Sequence, residues 1–330
     1  METDTMLLRL WFRIAERFLL YIDVSGRKAY FMDKILFTEY FGIDVPQKQL
    51  DFINIYINAD KKFFLDPAKL LLYSDAMSIR MSNSIVKYFE KLLQFVRTED
   101  KKNALKLLKG LKEPKETHLG YALNGYCGNA VGKEKGEKLY YKLSKSNAVK
   151  TGLLKDLEES ALLVDGIDRD VISDMVVMIT KEYLIKFTQQ QCEKYQVPME
   201  EVNVGLVWDN QRENWKEMKA KLPVYKGKPM ILVPKKIVTD KLTLDSQDFY
   251  RNELLNLIQD EIMRADSSLV IVLKNGKRRC AITKKQLKND KRYRYSKEFI
   301  YNMIQKYPKT LRDFRRRKKY THDDIDEKLE

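Results

Sequence analysis

The spacing of apolar positions changes several times along this chain, and each change marks an element. Residues 50–65 (LDFINIYINADKKFFL) hold two β-branched and aromatic runs separated by a polar break at 58–62, a pattern that predicts a β-hairpin. From residue 68 to about 112 the apolar positions fall at helical intervals, with Ile85, Tyr88, Phe89, Leu92 and Leu93 as the clearest stripe, so two or three helices are expected before Pro114. A second helical pattern, with Ile172, Met175, Val176, Ile179, Tyr183 and Phe187 on one face, runs from about Asp170 to Tyr195 and stops at Val197-Pro198. Residues 7–22 place Arg9, Arg13 and Arg17 opposite Leu7, Trp11, Ile14 and Phe18, which reads as an amphipathic helix docking on a core.

The second half of the chain is richer in strand-like runs. Residues 202–208, 230–238, 269–273 and 278–283 fit strands, and the last two flank Asn275-Gly276, the strongest short hairpin signal present. Helices are expected over 246–264, over 296–307 with Ser296 as N-cap, and from Pro308 to about Tyr320. The sum is an α+β protein with helical middle segments, short mixed or antiparallel sheets and a basic helical C-terminal segment, because the regular βα alternation of a doubly wound sheet is missing. The organisation read from the pattern is 1–115 (hairpin plus helices), 116–200 (glycine-rich loop, acidic cluster, long helix), 201–320 (strand-rich, then basic) and an acidic tail at 321–330.

Composition narrows the chemistry. With 330 residues and 44% hydrophobic content the chain can bury a full core. Its three cysteines are far apart and its histidines number two, so a thiolate zinc site, a disulfide framework and a histidine-based triad all lack material. Any metal would be held by carboxylates. The early apolar run is broken by arginines and Glu16 and lacks a small-residue cleavage site, so neither a secretory signal nor a transmembrane segment is expected, and the expected compartment is the cytoplasm.

Charge changes the picture more. Residues 274–320 hold 19 Lys or Arg against three acids, which leaves the rest of the chain at about −1 although the whole chain carries +15. Concentrated cations point to a polyanion, because neutralising phosphates releases condensed counterions. Lys291, Arg292 and Arg294 form one dense group, and Arg312, Arg315, Arg316, Arg317, Lys318 and Lys319 form another; interleaved tyrosines and phenylalanines suit stacking on bases. A solvated face with structural tyrosines is the competing explanation. The expected partner is DNA or RNA, alongside protein subunits of a larger complex.

Two further stretches carry candidate chemistry. Asp165, Asp168, Asp170 and Asp174 lie within DGIDRDVISD at a turn entering a helix, and Asp170 and Asp174 share a face at i, i+4. Converging carboxylates of this kind can hold Mg²⁺ or Mn²⁺ and activate water for phosphodiester cleavage, with Asp170 and Asp174 as the catalytic pair and Glu158 and Glu159 near enough to complete the shell. Helix capping by Asp168 or Asp170 accounts for the same residues equally well. Residues 120–136 hold five of the 13 glycines, but Cys127 stands where a P-loop needs glycine and Glu134 where it needs Ser or Thr. That leaves a tight turn or a backbone anion cradle.

Four segments taken together, LFTEYFGI (36–43), FFLDPAKLL (63–71), GYALNGYCGNAVG (120–132) and VDGIDRDVISDMV (164–176), resemble a group of bacterial hypothetical proteins found with mobile elements and phage-defence genes. The resemblance implies a setting in genome defence. The residues lead to a nucleic-acid-binding protein, with a divalent-metal nuclease as its catalytic version and a non-enzymatic sensor or adaptor subunit as the alternative.

Overall fold

The computed structural model describes residues 34–120 and 131–320, the side chains of 131–133 and 319–320 excepted. The helix expected over 7–22, most of the glycine-rich stretch including Cys127, and the acidic tail lie outside the described residues. The protein is α+β: helices dominate, and the strands form small antiparallel two-stranded sheets.

The first half is built on α1 (Ala76–Arg97), α2 (Lys101–Leu108), α3 (Val131–Lys145) and α4 (Arg169–Lys194). Each of α1, α2 and α4 starts on an aspartate whose carboxylate accepts a backbone N–H of the first turn: Asp75 from Ser78, Asp100 from Asn103, Asp168 from Val171. Such caps satisfy donors that the helix itself cannot. Apolar residues line α1 at the expected spacing, and Met81, Ile85, Tyr88, Phe89, Leu92 and Leu93 are all buried.

The hairpin expected over 50–65 does not form. Phe64–Leu65 (β1) pairs instead with Val238–Thr239 (β6), and the Ile53 N–H donates to the carbonyl of Val233 at 3.0 Å. Ile53, Ile55 and Ile57 are buried together with Phe52, so this run has no solvent face and is satisfied by a partner nearly 180 residues away rather than by its own return. The same reason turns the predicted strand over 230–238 into a buried extended segment, Met230 to Val233, followed by a 3₁₀ turn at Lys235–Ile237. A ribbon of two longer strands, Glu200–Asp209 (β2) and Asn214–Leu222 (β3), pairs in antiparallel register with a bulge at Asn203/Gly205, and a smaller pair, Val224–Tyr225 (β4) with Lys228–Pro229 (β5), follows it. The strand β3 was missed because its sequence, NWKEMKAKL, is mostly polar and exposed.

Helix α4 is the spine. A one-sided amphipathic stripe was expected, yet Ile172, Val176, Val177, Met178, Ile179, Thr180 and Lys181 are buried in succession because α1, β1 and the β2–β3 ribbon enclose the helix. Lys181, 3% exposed, is satisfied inside by donating to Glu116 Oε1 at 2.9 Å and to the Val204 carbonyl at 2.7 Å.

The C-terminal third packs a π-helical turn (Phe249–Leu254) running into α5 (Leu255–Ala265), then the hairpin Val270–Val272 (β7) with Arg278–Cys280 (β8), then α6 (Lys284–Asn289), α7 (Lys297–Lys306) and α8 (Pro308–Tyr320). Ser296 caps α7 through the Phe299 N–H at 2.9 Å, and Pro308 opens α8, as expected. Phe314 of α8 is 1% exposed against Phe249, their ring centres 5.0 Å apart, so this third shares the core of the first half.

The Trp215 indole donates from Nε1 to the Leu107 carbonyl at 2.7 Å and lies over Gly110, where an added Cβ would fall inside the ring system. Gly110→Ala therefore overpacks the Tyr88–Trp208–Trp215 cluster and should cost about 3 kcal/mol, the upper end for such changes, read as a lowered denaturation midpoint with Trp emission shifted to the red.

Candidate functional site

Asp168, as N-cap of α4, has its carboxylate turned back on the helix, 3.3 Å from the Val171 N–H. Asp170 is exposed on the first turn, and Asp174, one turn on, is half-buried. Burial pushes the Asp174 carboxyl up to about 7; Lys135 from α3 opposes this, while Glu113, Asp170 and Asp168 add to it. Burial also raises Asp170, with Asp168 adding and Arg169 opposing. A carboxyl titrating near neutrality beside a lysine is the kind of group found at functional sites.

Asp165 lies elsewhere, in a cleft of about 280 Å³ between α3 and α7 that also holds Lys142, Lys145, Tyr141 and Tyr301. A neighbouring cleft of about 330 Å³ contains Asp168, Arg169, Lys241, Asp245 and Tyr295. Lys297, the first residue of α7, borders both. Burial drives its amine down to about 8, against the pull of Asp165, Asp245 and Asp168. Acid cluster and basic segment thus meet at Lys297. The four aspartates do not converge on a point: Asp165 faces the Lys297 cleft, Asp174 faces Lys135 and Glu113, and among the described residues no three His, Cys, Asp or Glu side chains form a metal-holding group.

The two glutamates proposed to complete the metal shell are used differently. Arg315 of α8 donates to Glu159 Oε1 at 2.6 Å, to Glu158 Oε1 at 2.8 Å and to Asp156 Oδ2 at 3.1 Å. Burial and the Asp156 charge push the Glu158 carboxyl up to about 7, with Arg315 pulling it down. The arginine thereby ties the C-terminal helix to the turn that precedes the acid cluster.

Much of the basic run is committed in the same way. Arg317 pairs with Glu253, Lys318 with Asp248 at 2.5 Å, Arg316 with Asp313 at 3.8 Å, and Arg292 with Asp290 at 2.7 Å. Lys291, Arg294 and Arg312 are exposed, as is Arg316 beyond its loose pair, while the side chain of Lys319 lies outside the described residues. The interleaved aromatics serve the core: Phe314 is buried, the Tyr250 hydroxyl donates to the Tyr293 carbonyl at 2.8 Å, and Tyr295 shares a hydroxyl bond with Ser246 at 2.9 Å. Elsewhere, Lys235 donates to the Lys48 carbonyl and Lys236 pairs with Asp75. Sequence reasoning passed over Lys297 and Asp156, and read Glu158 and Glu159 as metal-shell residues rather than as acceptors of Arg315, because these roles come from segments about 50 to 160 residues away.

The fold is α+β with a basic module joined to an acidic turn. Within that class, the chain belongs to the family described as domain of unknown function DUF8370, whose model matches residues 42–245, more than half of the sequence. The acid cluster lies inside the matched region and the basic segment beyond it. No curated protein and no solved structure matches the chain.

Two predictions follow from these charges. Arg315→Ala leaves three carboxylates facing one another and should cost about 2–3 kcal/mol, less than a fully buried pair because a third of the arginine is exposed, and Glu158→Gln with Glu159→Gln should recover part of the lost midpoint. Asp174 has a folded pKa above its ordinary value, so the stability it contributes is present below about pH 4 and is lost as pH rises through about 7. The melting temperature of the wild type relative to Asp174→Asn should therefore fall between about pH 5 and pH 8; a constant difference would place the Asp174 pKa in the ordinary range.

Proposed function

We propose that the protein binds nucleic acid through the surface of its C-terminal basic segment and acts as a recognition component, a sensor or adaptor, of a larger assembly. The observation that carries this reading is that, among the described residues, Lys291, Arg294 and Arg312 stand exposed with no ion pair and Arg316 stands exposed beyond its loose pair with Asp313, on a segment whose net charge is about +16. Exposed cations on a fixed support favour a phosphate backbone, and their benefit rises as salt falls. The sequence resemblance to bacterial proteins found with phage-defence genes supplies the setting.

A second reading, cleavage assisted by Mg²⁺ or Mn²⁺, is favoured by one feature, the pairing of Asp170 with a near-neutral Asp174 beside Lys135. Two carboxylates suffice for a hard cation when a substrate phosphate supplies further oxygens. In that case Asp170 and Asp174 would ligate the ion, and Lys135 would face the phosphate.

Both readings are tested on one set of labelled DNA and RNA. Changing Lys291, Arg294, Arg312 and Arg316 together to Ala should weaken binding and reduce the salt slope by about 1 per lost phosphate contact, without moving the melting temperature. An unchanged affinity and slope would remove the proposed surface. Incubation with Mg²⁺, Mn²⁺ or EDTA then separates adaptor from nuclease: metal-dependent cutting abolished by Asp170→Ala and Asp174→Ala supports the nuclease, and intact substrate under all conditions supports the adaptor.

A further inference from the structure

The β7–β8 hairpin stands apart from the rest of the basic segment. Its register pairs Val270 with Cys280, Ile271 with Arg279 and Val272 with Arg278, and the five-residue connection closes through the Leu273 N–H on the Lys277 carbonyl at 2.9 Å, with Gly276 at φ +77°. Residues 271–279 are all exposed. The base is fixed: Cys280 is buried, the Ala281 N–H donates to the Leu269 carbonyl at 2.7 Å, and Gln259 of α5 donates to the Ile282 carbonyl at 2.7 Å. An anchored base with nine exposed residues beyond it is a projecting finger.

The chemistry of the finger is of one sign. No acid occurs between Asp266 and Asp290, and Lys274, Lys277, Arg278 and Arg279 take part in no ion pair among the described residues, unlike Arg315, Arg317 and Lys318 of the helix. Beside them Ile271, Val272 and Leu273 expose 39%, 67% and 38% of their surface, an apolar row that an isolated soluble surface has no reason to display. Directly opposed residues share a face, so Ile271 and Arg279 lie on one side of the ribbon, and Val272 and Arg278 on the other with the buried Cys280.

We propose that this hairpin enters a groove of duplex nucleic acid, with its four cations on the flanking phosphates and the face carrying Val272, its most exposed apolar residue, against base edges. The proposal rests on the nucleic-acid reading above and adds to it a duplex substrate and a base-contacting element. A two-stranded ribbon fits the major groove, which is about 12 Å wide and 8.5 Å deep, and three strand residues at about 3.3 Å each reach a comparable depth. A lipid surface suits the finger less well. Its tip is Lys274-Asn275-Gly276-Lys277, so two ammonium groups would have to precede the apolar row into the acyl region.

The experiment uses the full chain with a duplex, the matching single strand and anionic vesicles. Lys274→Ala, Lys277→Ala, Arg278→Ala and Arg279→Ala combined should weaken duplex binding about tenfold or more and lower the salt slope by about 3 to 4, with a smaller loss on the single strand and an unchanged melting temperature. Val272→Ser, which alters no charge, should weaken duplex binding severalfold at constant salt slope. Equal losses on duplex and single strand, or duplex binding untouched by both variants while the wild type binds, would overturn the hairpin proposal alone. Vesicle binding lost in place of duplex binding would overturn it in favour of a membrane surface. A wild type that binds neither nucleic acid defeats this proposal and the proposed function together.

Discussion

Enclosure of α4 is the constraint on which the rest of the structure depends. A helix buried on nearly every side has to be covered by several elements, and α1, β1 and the β2–β3 ribbon are drawn from distant parts of the chain to do so. The hydroxyl of buried Ser173 accepts the Leu65 N–H at 3.0 Å, which ties β1 to the helix start. Farther along, Lys181 brings together Glu116 and the bulged strand β2. Such a buried cation tolerates no loss of partner, so the helix, the ribbon and the loop bearing Glu116 hold one arrangement. The first turn of α4 reaches the surface, as do Lys186, Gln190, Glu193 and Lys194 nearer its end, and Asp168 and Asp170 stand at that first turn.

The second joint is electrostatic. Arg315 converts part of a polyanion-seeking sequence into an internal clamp, and two of its acceptors, Glu158 and Glu159, are acids that the sequence offered to a metal shell. Guanidinium geometry suits this role, since its fork of donors can serve several carboxylates at once. Arg317 and Lys318 dock on the helical segment Asp248 to Glu253 in the same manner. Part of the charge of residues 315–318 is thereby taken up internally, and the outward charge is shared with Lys291, Arg294, Arg312 and the β7–β8 finger. Density of charge in sequence and availability of charge in space are different properties here.

Elements whose cause is local were legible. Capped helices such as α7, with Ser296 at its start, and α8, opened by Pro308, depend on a few adjacent residues. The hairpin around Asn275-Gly276 is equally local, although its connection is five residues long. The failures involve apolar runs with no preference between partners. Residues 50–65 carry enough β-branched residues for a hairpin, but burial on both faces favoured pairing with the segment around Val233 and Val238, and a single-sequence pattern holds no information about that choice. The aspartates are neighbours in sequence, whereas their division between the Lys297 cleft and the Lys135 side depends on the path of the folded chain.

By itself the sequence determined that the chain folds as an α+β protein and that its excess charge lies in one segment, because these follow from composition and from spacings of a few residues. Tertiary structure alone decided which cations face solvent, which acids they neutralise, and that acid cluster and basic module meet at Lys297. The reason is that ion pairing and burial act between surfaces brought together by packing, and the partners of Arg315, Lys181 and Lys297 stand about 20 to 160 residues away in a chain whose local pattern cannot specify them.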